Sequence, residues 1–323
     1  MFVRRLALFS ILASAAVGFS AHAQPMPPLI KLVVPYPPGG SVDTLARLMA
    51  QPLQEQLKTT VVVDNRPGAG GRIAASQVKR ESADGSVILI APNALTTIQS
   101  LVYAGRLDYS IKDDFTAVSK LASYPFGLAV PVTSPFKTAG ELREQLRAKP
   151  AMASFGTSGA GGMAHFSGVL FGQVVGVPWT HVAFKGGAPL ITDLIGGHVP
   201  VGIDTLIDQI EHHRAGKIRI LGTFSTQRYS LAPELPTLAE QGVPLPNVEG
   251  WFGAFVSSKT PKATVTRIDQ AIGKVLANPE LKAKMNKLVI DVTYLPSDQF
   301  AKAQAAELVQ WAPVVRDSGF KPD

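Results

Sequence analysis

No cysteine occurs among the 323 residues. Its absence excludes a disulfide framework, thiolate metal sites and a lipid-modified cysteine behind a leader. Charge is sparse too: Asp, Glu, Lys and Arg together make up 17% of the chain, with no Lys/Arg block. A nucleic-acid binder needs a basic stripe interleaved with aromatics, and none is present. Beyond the first two dozen residues, no run approaches the roughly 18 apolar residues that a membrane helix needs. There is no internal repeat and no low-complexity tract.

What is present begins with a leader. Arg4 and Arg5 precede an apolar stretch from Leu6 to Phe19, and Ala21-His22-Ala23 has the small-x-small form of a cleavage site. Residues 1–23 are therefore expected to be a signal peptide, and the mature chain an exported, soluble protein without direct membrane insertion. Losing the two arginines lowers the formal charge from +7 to +5, a weak general pull on anions. The remaining 300 residues suggest two domains.

Short β-branched runs alternate with helical patterns. Strands are expected at "IKLVVPY" from Ile30, "TTVVVDN" from Thr59, "SVILIAPN" from Ser86, "FGLAVPV" from Phe126 and "MASFGTS" from Met152. Others are "THVAF" from Thr180, "VPVGID" from Val199, "IRILGTFS" from Ile218 and "FGAFVSS" from Phe252. Continuous apolar runs suit strands buried on both faces of a parallel sheet. Val42, Leu45, Met49, Leu53 and Leu57 recur at helical spacing, with Pro52 expected to kink or shorten that helix. The pattern is α/β. Proline- and glycine-rich joints at 123–135 and 244–253 mark two chain crossings. They predict an outer lobe of residues 24–124 and 252–323, an inserted lobe of 125–251, and a cleft between. The closing Lys321-Pro322-Asp323 is expected to fray.

Two strands end in glycine turns that open helices: Pro37-Pro38-Gly39-Gly40-Ser41, and Gly156-Thr157-Ser158-Gly159-Ala160-Gly161-Gly162. The first amides of a helix lack internal partners and sit at the positive end of its dipole. Glycine admits a ligand to the backbone without a Cβ in the way. Each turn is therefore either an ordinary connector or an anion seat built from neutral amides. Ser41, Thr157 and Ser158 offer hydroxyls to the same anion, or serve as caps. His165 lies in the first turn after the second loop, for packing, capping or ligand contact. Asp204 ends a strand and either faces a cleft or caps the segment after it. His212 and His213 are adjacent, point apart on a helix and do not form a metal site by spacing; they read as a solvated face, and Lys185 as a solvated lysine or a residue of the cleft.

Enzyme motifs fail on inspection. "GTSGA" lacks the final glycine of a nucleophile elbow. "GAGGMA" has no acid about 20 residues on for a ribose, and no phosphate-loop G-K-[ST] exists, so no cofactor is implied.

Five stretches together are similar to one family. They are "VVPYPPGGSVDTLAR", "VVVDNRPGAGGRIAA", "FGTSGAGGMAHF", "HVAFKGGAPLITDLIGGHV" and "LPTLAEQGVP", in that order along the chain. The sequence resembles the substrate-binding receptors of tripartite tricarboxylate transporters, the Bug-type periplasmic proteins. That resemblance implies a two-lobed periplasmic-binding-protein fold, each lobe a mostly parallel sheet flanked by helices. It implies a non-enzymatic, monomeric periplasmic receptor that delivers a small organic carboxylate to membrane transporter subunits. Carried over by position, the ligand contacts would be Tyr36, Pro38, Gly39, Gly40, Ser41, Asn93, Thr157, Ser158, Gly159 and Gly162. His165 and Asp204 are weaker members of the same set. The Asn65–Gly71 signature is expected to be structural, with Arg66 tying the lobe together. Phe184 replaces the tyrosine common in the family, so a hydroxyl contact is lost there. The rivals are an exported serine hydrolase using Ser158 with His165 or His181, and a ligand-loaded partner of a signalling sensor.

Overall fold

The computed structural model describes residues 26–150 and 153–322, so the expected leader lies outside the described residues. The elements run β1 (Leu29–Val34), α1 (Ser41–Leu57), β2 (Thr60–Asn65), α2 (Arg72–Arg80) and β3 (Val87–Pro92). A π-helical turn (Ala94–Ile98) leads into α3 (Gln99–Val102), α4 (Ile111–Asp114) and the long β4 (Phe115–Pro131). Then come α5 (Ala139–Ala148), β5 (Ser154–Thr157), α6 (Met163–Val175), β6 (Thr180–Ala183), α7 (Gly187–Ile195) and β7 (Gly202–Thr205). The chain continues through α8 (Leu206–Arg214), β8 (Ile218–Thr223), β9 (Glu249–Ser257), α9 (Lys262–Leu276), α10 (Pro279–Lys287), β10 (Leu295–Pro296) and α11 (Ser297–Asp317).

The strands order as β2-β1-β3-β9-β4-β7-β5-β6, with β8 and β10 also pairing β4. In the first half, β1 runs parallel to β2 and β3, while β9 is antiparallel to both β3 and β4. In the second half, β5 runs parallel to β6 and β7. All nine expected strands are present, but β4 is far longer than the run from Phe126 suggests. It pairs with β9 from Phe115 to Pro125, then with β7 and β8 from Phe126 to Pro131. Pro125 carries no amide proton, so it falls where the strand changes partners. One strand thus belongs to both halves of the sheet.

α1 forms because Val42, Leu45, Met49, Leu53 and Leu57 are all buried along one stripe. Pro52 does not shorten it: the helix is continuous across that position. The stripe packs on α9, whose Val265, Ile268, Ile272 and Val275 are buried. Each such side chain contributes roughly 1.5–3 kcal/mol of apolar burial. A single apolar cluster runs from Ile30 and Leu32 through Leu121 and Leu128 to Phe155 and Phe166.

α11 reaches from the first half to the second. Ser297 donates to the Ala117 carbonyl and Phe300 packs in the first-half core. Beyond the helix end, Phe320 stands edge-on to His165 and Phe166. Of the expected frayed tail, Pro322 has its carbonyl held by Arg106, and Asp323 lies outside the described residues.

α6 lies close to the sheet because Gly168 has no side chain. A Cβ there would overlap the Phe155 ring, itself stacked on Trp179 at 4.5 Å. Gly168→Ala should therefore lower unfolding free energy by about 1–3 kcal/mol in urea titrations; an unchanged midpoint would show that the ring yields freely.

Candidate functional site

The first glycine turn leaves β1 exposed and is braced from beneath. Pro37, Pro38, Gly39 and Gly40 face solvent, and the half-buried Tyr36 donates its hydroxyl to the Gly70 carbonyl at 3.5 Å. Asp43, 3% exposed, accepts the Gly39 amide at 2.9 Å and Arg47 Nε at 2.9 Å on one oxygen. Its other oxygen accepts Asn65 Nδ2 at 2.9 Å, and that same amide donates to the Tyr36 carbonyl at 3.1 Å. Burial alone would raise the Asp43 pKa. The hydrogen bonds from Arg47, Gly39 and Asn65 outweigh it and hold the carboxyl below its ordinary value. Gly39, expected to offer its amide to a ligand, gives it to Asp43 instead. α1 is capped by Gly40, with no side-chain cap, so Ser41 is not a capping residue.

The second turn is braced by hydroxyls and neutral imidazoles. Thr157 is fully buried; its hydroxyl donates to the Gly159 carbonyl at 2.7 Å and lies 2.7 Å from His181 Nε2. Ser158 donates to Asp204 Oδ1 at 2.9 Å. The Gly161 amide donates to His165 Nδ1 at 3.1 Å. His165 and His181 stack at 3.8 Å. Burial depresses each to about 4, with the neighbouring ring adding to the effect on His181, so both are uncharged at neutral pH.

Three glycines at these turns have no internal reason to be glycine. Gly40 (φ −76°) and Gly162 (φ −102°) have ordinary backbone angles, and Gly159 is not left-handed either. A Cβ at Gly159 or Gly162 would meet nothing within 4 Å, and at Gly40 only the Pro37 carbonyl at 4.0 Å. Gly156 differs, because a Cβ there would press Leu190 at 2.7 Å and Phe184 at 2.8 Å. Gly40 and Gly162 are also the caps of α1 and α6, whose first amides have no partner within their helices. The bare backbone at these positions therefore suits something outside the fold.

The other expected residues fall into two groups. Asp204 is 1% exposed and borders the second turn through Ser158. Asn93, fully buried, is instead spent on the Glu249 carbonyl at 2.8 Å and Glu307 Oε1 at 2.7 Å. His213 is not a solvated residue: its Nδ1 accepts the Ile220 amide at 3.2 Å. Arg66 pairs with Asp64 and Glu81, tying β2 to the end of α2. Residues that the sequence did not single out are Asp43 as brace, Tyr124 and Phe320. Asp43 had a visible signal, four residues before Arg47 on a helix. Tyr124 is buried at the junction within β4. Its hydroxyl pKa is raised first by burial, then by Tyr36, Asp208, Glu307 and Asp204, so it lies within electrostatic reach of both halves. Among the described residues, no group of three or more His, Asp or Glu could hold a metal, and no helix is long and apolar enough to cross a membrane.

The Asp43 brace makes a measurable claim. Asp43→Ala strands the Gly39 and Asn65 donors and should cost about 1–3 kcal/mol at pH 7. Because the folded carboxyl is depressed, its contribution is present above the unfolded pKa and fades as pH falls through the folded one. The gap between variant and parent in chemical denaturation should narrow accordingly below pH 4.

Comparison with known proteins agrees with this architecture. The model of the tripartite tricarboxylate transporter family receptor matches residues 45–320. Protein BugT of Bordetella pertussis is 30% identical over 316 residues, covering 98% of this chain and 97% of its own. Among solved structures, R. palustris Rpa4515 with adipate is 32% identical at a TM-score of 0.81, covering 91% of this chain and 98% of its own. MatC from Rhodopseudomonas palustris with bound malate is 25% identical at 0.75, covering 89% and 98%. The periplasmic binding protein BugD is 27% identical at 0.76, covering 91% and 98%. With glycine-capped helices on both halves of a shared sheet and a family match over most of its length, the chain belongs to the tripartite tricarboxylate transporter receptor family.

Proposed function

We propose that the protein captures a small organic carboxylate between its two glycine turns and delivers it, as a monomer, to a tripartite membrane transporter. The observation that carries this reading is the set of unforced glycines, Gly40, Gly159 and Gly162. Amides at two helix starts can hold a carboxylate without a formal positive charge. Of the side chains beside them, Asp43 is spent on Arg47, and the two histidines are uncharged. At the carboxylate end, release to a transporter then requires no separation of a buried ion pair. Adipate and malate, seen with two similar structures, are dicarboxylates and fit this chemistry.

Closure would bend β4 at Pro125–Phe126 and the chain just before Glu249, where sheet pairing changes halves. The leader expected over residues 1–23 would deliver the protein to the periplasm. The arrangement supports a receptor rather than a hydrolase. Ser158 donates to Asp204, His165 Nδ1 takes the Gly161 amide, and His181 faces Thr157, so among the described residues Ser158 is paired with neither histidine.

Thermal-shift titration against adipate, malate, monocarboxylates and aromatic acids tests the reading. A ligand at about 100 times its dissociation constant should add about 2.7 kcal/mol. Gly40→Val keeps an allowed backbone and meets no close neighbour, so the variant should fold normally and lose the shift. Full affinity in that variant would place the carboxylate elsewhere.

A further inference from the structure

Among the described residues, Asp204 is the one buried carboxylate of the second half whose bonding is incomplete. It is 1% exposed. Its Oδ1 accepts the Ser158 hydroxyl and the Thr205 amide, each at 2.9 Å, while Oδ2 has no partner among the described residues. A carboxylate oxygen left unpaired away from water is costly, and native structures rarely keep one without a use. Nothing nearby neutralises it. Neither Asp204 nor Asp208 is paired with a lysine or arginine among the described residues.

A second carboxylate converges on the same spot. A Cβ placed on Gly187, at the start of α7, would lie 3.2 Å from Asp204 Oδ2 and 3.1 Å from Asp208 Oδ2. Asp208 has a structural task as well, accepting the Thr205 hydroxyl at 2.9 Å to cap α8. Asp204 has no such second task for Oδ2. The α7 amides do not reach it either, so the orphan oxygen is not satisfied by that helix start. Ser158 joins Asp204 directly to the second glycine turn.

We propose that Asp204, with Asp208 beside it, is an acceptor subsite that reads a cationic amino group on the ligand, so that the preferred carboxylates are amino acids. This inference rests on the carboxylate reading above and narrows it. The glycine-turn amides hold the acid end; the acidic pair receives an ammonium hydrogen bond that an unsubstituted acid cannot supply. A charge-assisted bond of this kind favours the amino ligand over its unsubstituted analogue by about tenfold or more. The remaining titratable groups in reach are His212, beyond Asp208 on α8, and Tyr124 on β4.

The test uses matched triplets of amino, hydroxy and unsubstituted acids. Examples are aspartate, malate and succinate; glutamate, 2-hydroxyglutarate and glutarate; phenylalanine, phenyllactate and phenylpropionate. Calorimetry on the full mature chain should show the amino member leading the unsubstituted one by about tenfold or more. Asp204→Asn should shrink that lead to within about threefold. Unsubstituted acids binding as well as amino acids, or an unchanged lead in the variant, overturns the proposal while leaving the carboxylate reading standing. Silence from every triplet overturns both.

A ligand-free measurement separates this role from a structural one. Burial, and next the Asp208 charge, raise Asp204 to about 7 from an ordinary 3.8. A raised folded carboxyl makes the native state lose stability as pH climbs from the unfolded value through the folded one. The melting temperature of Asp204→Asn, relative to the parent, should therefore rise between pH 5 and pH 8. A variant equally destabilised at both pH values would make Asp204 a structural anchor and overturn the proposal.

Discussion

A helix that starts at a glycine presents amides that its own backbone cannot pair, and the distinctive features of this receptor depend on where two such starts are placed. α1 begins after Gly40 and α6 after Gly162, one in each half of the sheet. Neither start has a side-chain cap, although serine or threonine lies nearby in both turns. A capping hydroxyl would satisfy the amides internally and remove their capacity for a ligand. The turns keep their shape by other means. The first is tied through Asp43 and Asn65, the second through Thr157 and His165. In both, a bracing side chain takes the amide just before the capping glycine, while the helix itself starts without a side-chain cap.

β4 supplies the mechanical counterpart. A strand that pairs with β9 over its first part and with β7 and β8 over its last part makes both halves one sheet. Pro125, where the continuous strand changes partners, supplies no amide to the ladder. Tyr124 sits immediately before that point, packed on Phe126 and Phe252 at 5.9 and 4.8 Å. Gly250 opposite is required by that ring, since a Cβ there would overlap it. A compact aromatic joint thus fills the space beside the point where β4 changes partners. On another side, α11 carries Phe320 against His165, so a residue near the chain end touches the turn that presents Gly161 and Gly162.

Much of this was legible in the sequence. Every expected strand exists; a run such as "SVILIAPN" is buried on both faces and announces itself by composition, while β2 and β6, at the ends of the strand order, are only partly buried. The helix from Val42 to Leu57 was visible through its spacing, and tertiary packing on α9 outweighed the local cost of Pro52. What could not be read were relations set by the third dimension. Nothing in "SYPFGLAVPV" says that the strand before the proline and the strand after it are continuous. The Asn93 amide, expected at the cleft, is claimed by Glu307, a residue 214 positions away. Gly39 looked equivalent to Gly40, yet its left-handed backbone (φ +93°) turns its amide onto Asp43. The glycines that survive as ligand candidates are those for which neither φ nor packing gives an account.

Asp204 sharpens the same distinction between stability and use. A fold selected only for stability would pair that carboxylate, expose it or replace it with an amide of equal shape. Instead the chain buries it with one oxygen unmet, raises its pKa by desolvation and places a second acid nearby. Each of those choices lowers the stability of the empty receptor, and each becomes favourable once a positive group arrives. The neutral amides would hold the negative end of a ligand at no such cost, because helix starts leave them unpaired in any case. A site composed of one inexpensive half and one costly half has its discrimination in the costly half. On the reading proposed above, the glycine turns would account for carboxylate binding, and the incompletely bonded acid for how one carboxylate is told from another.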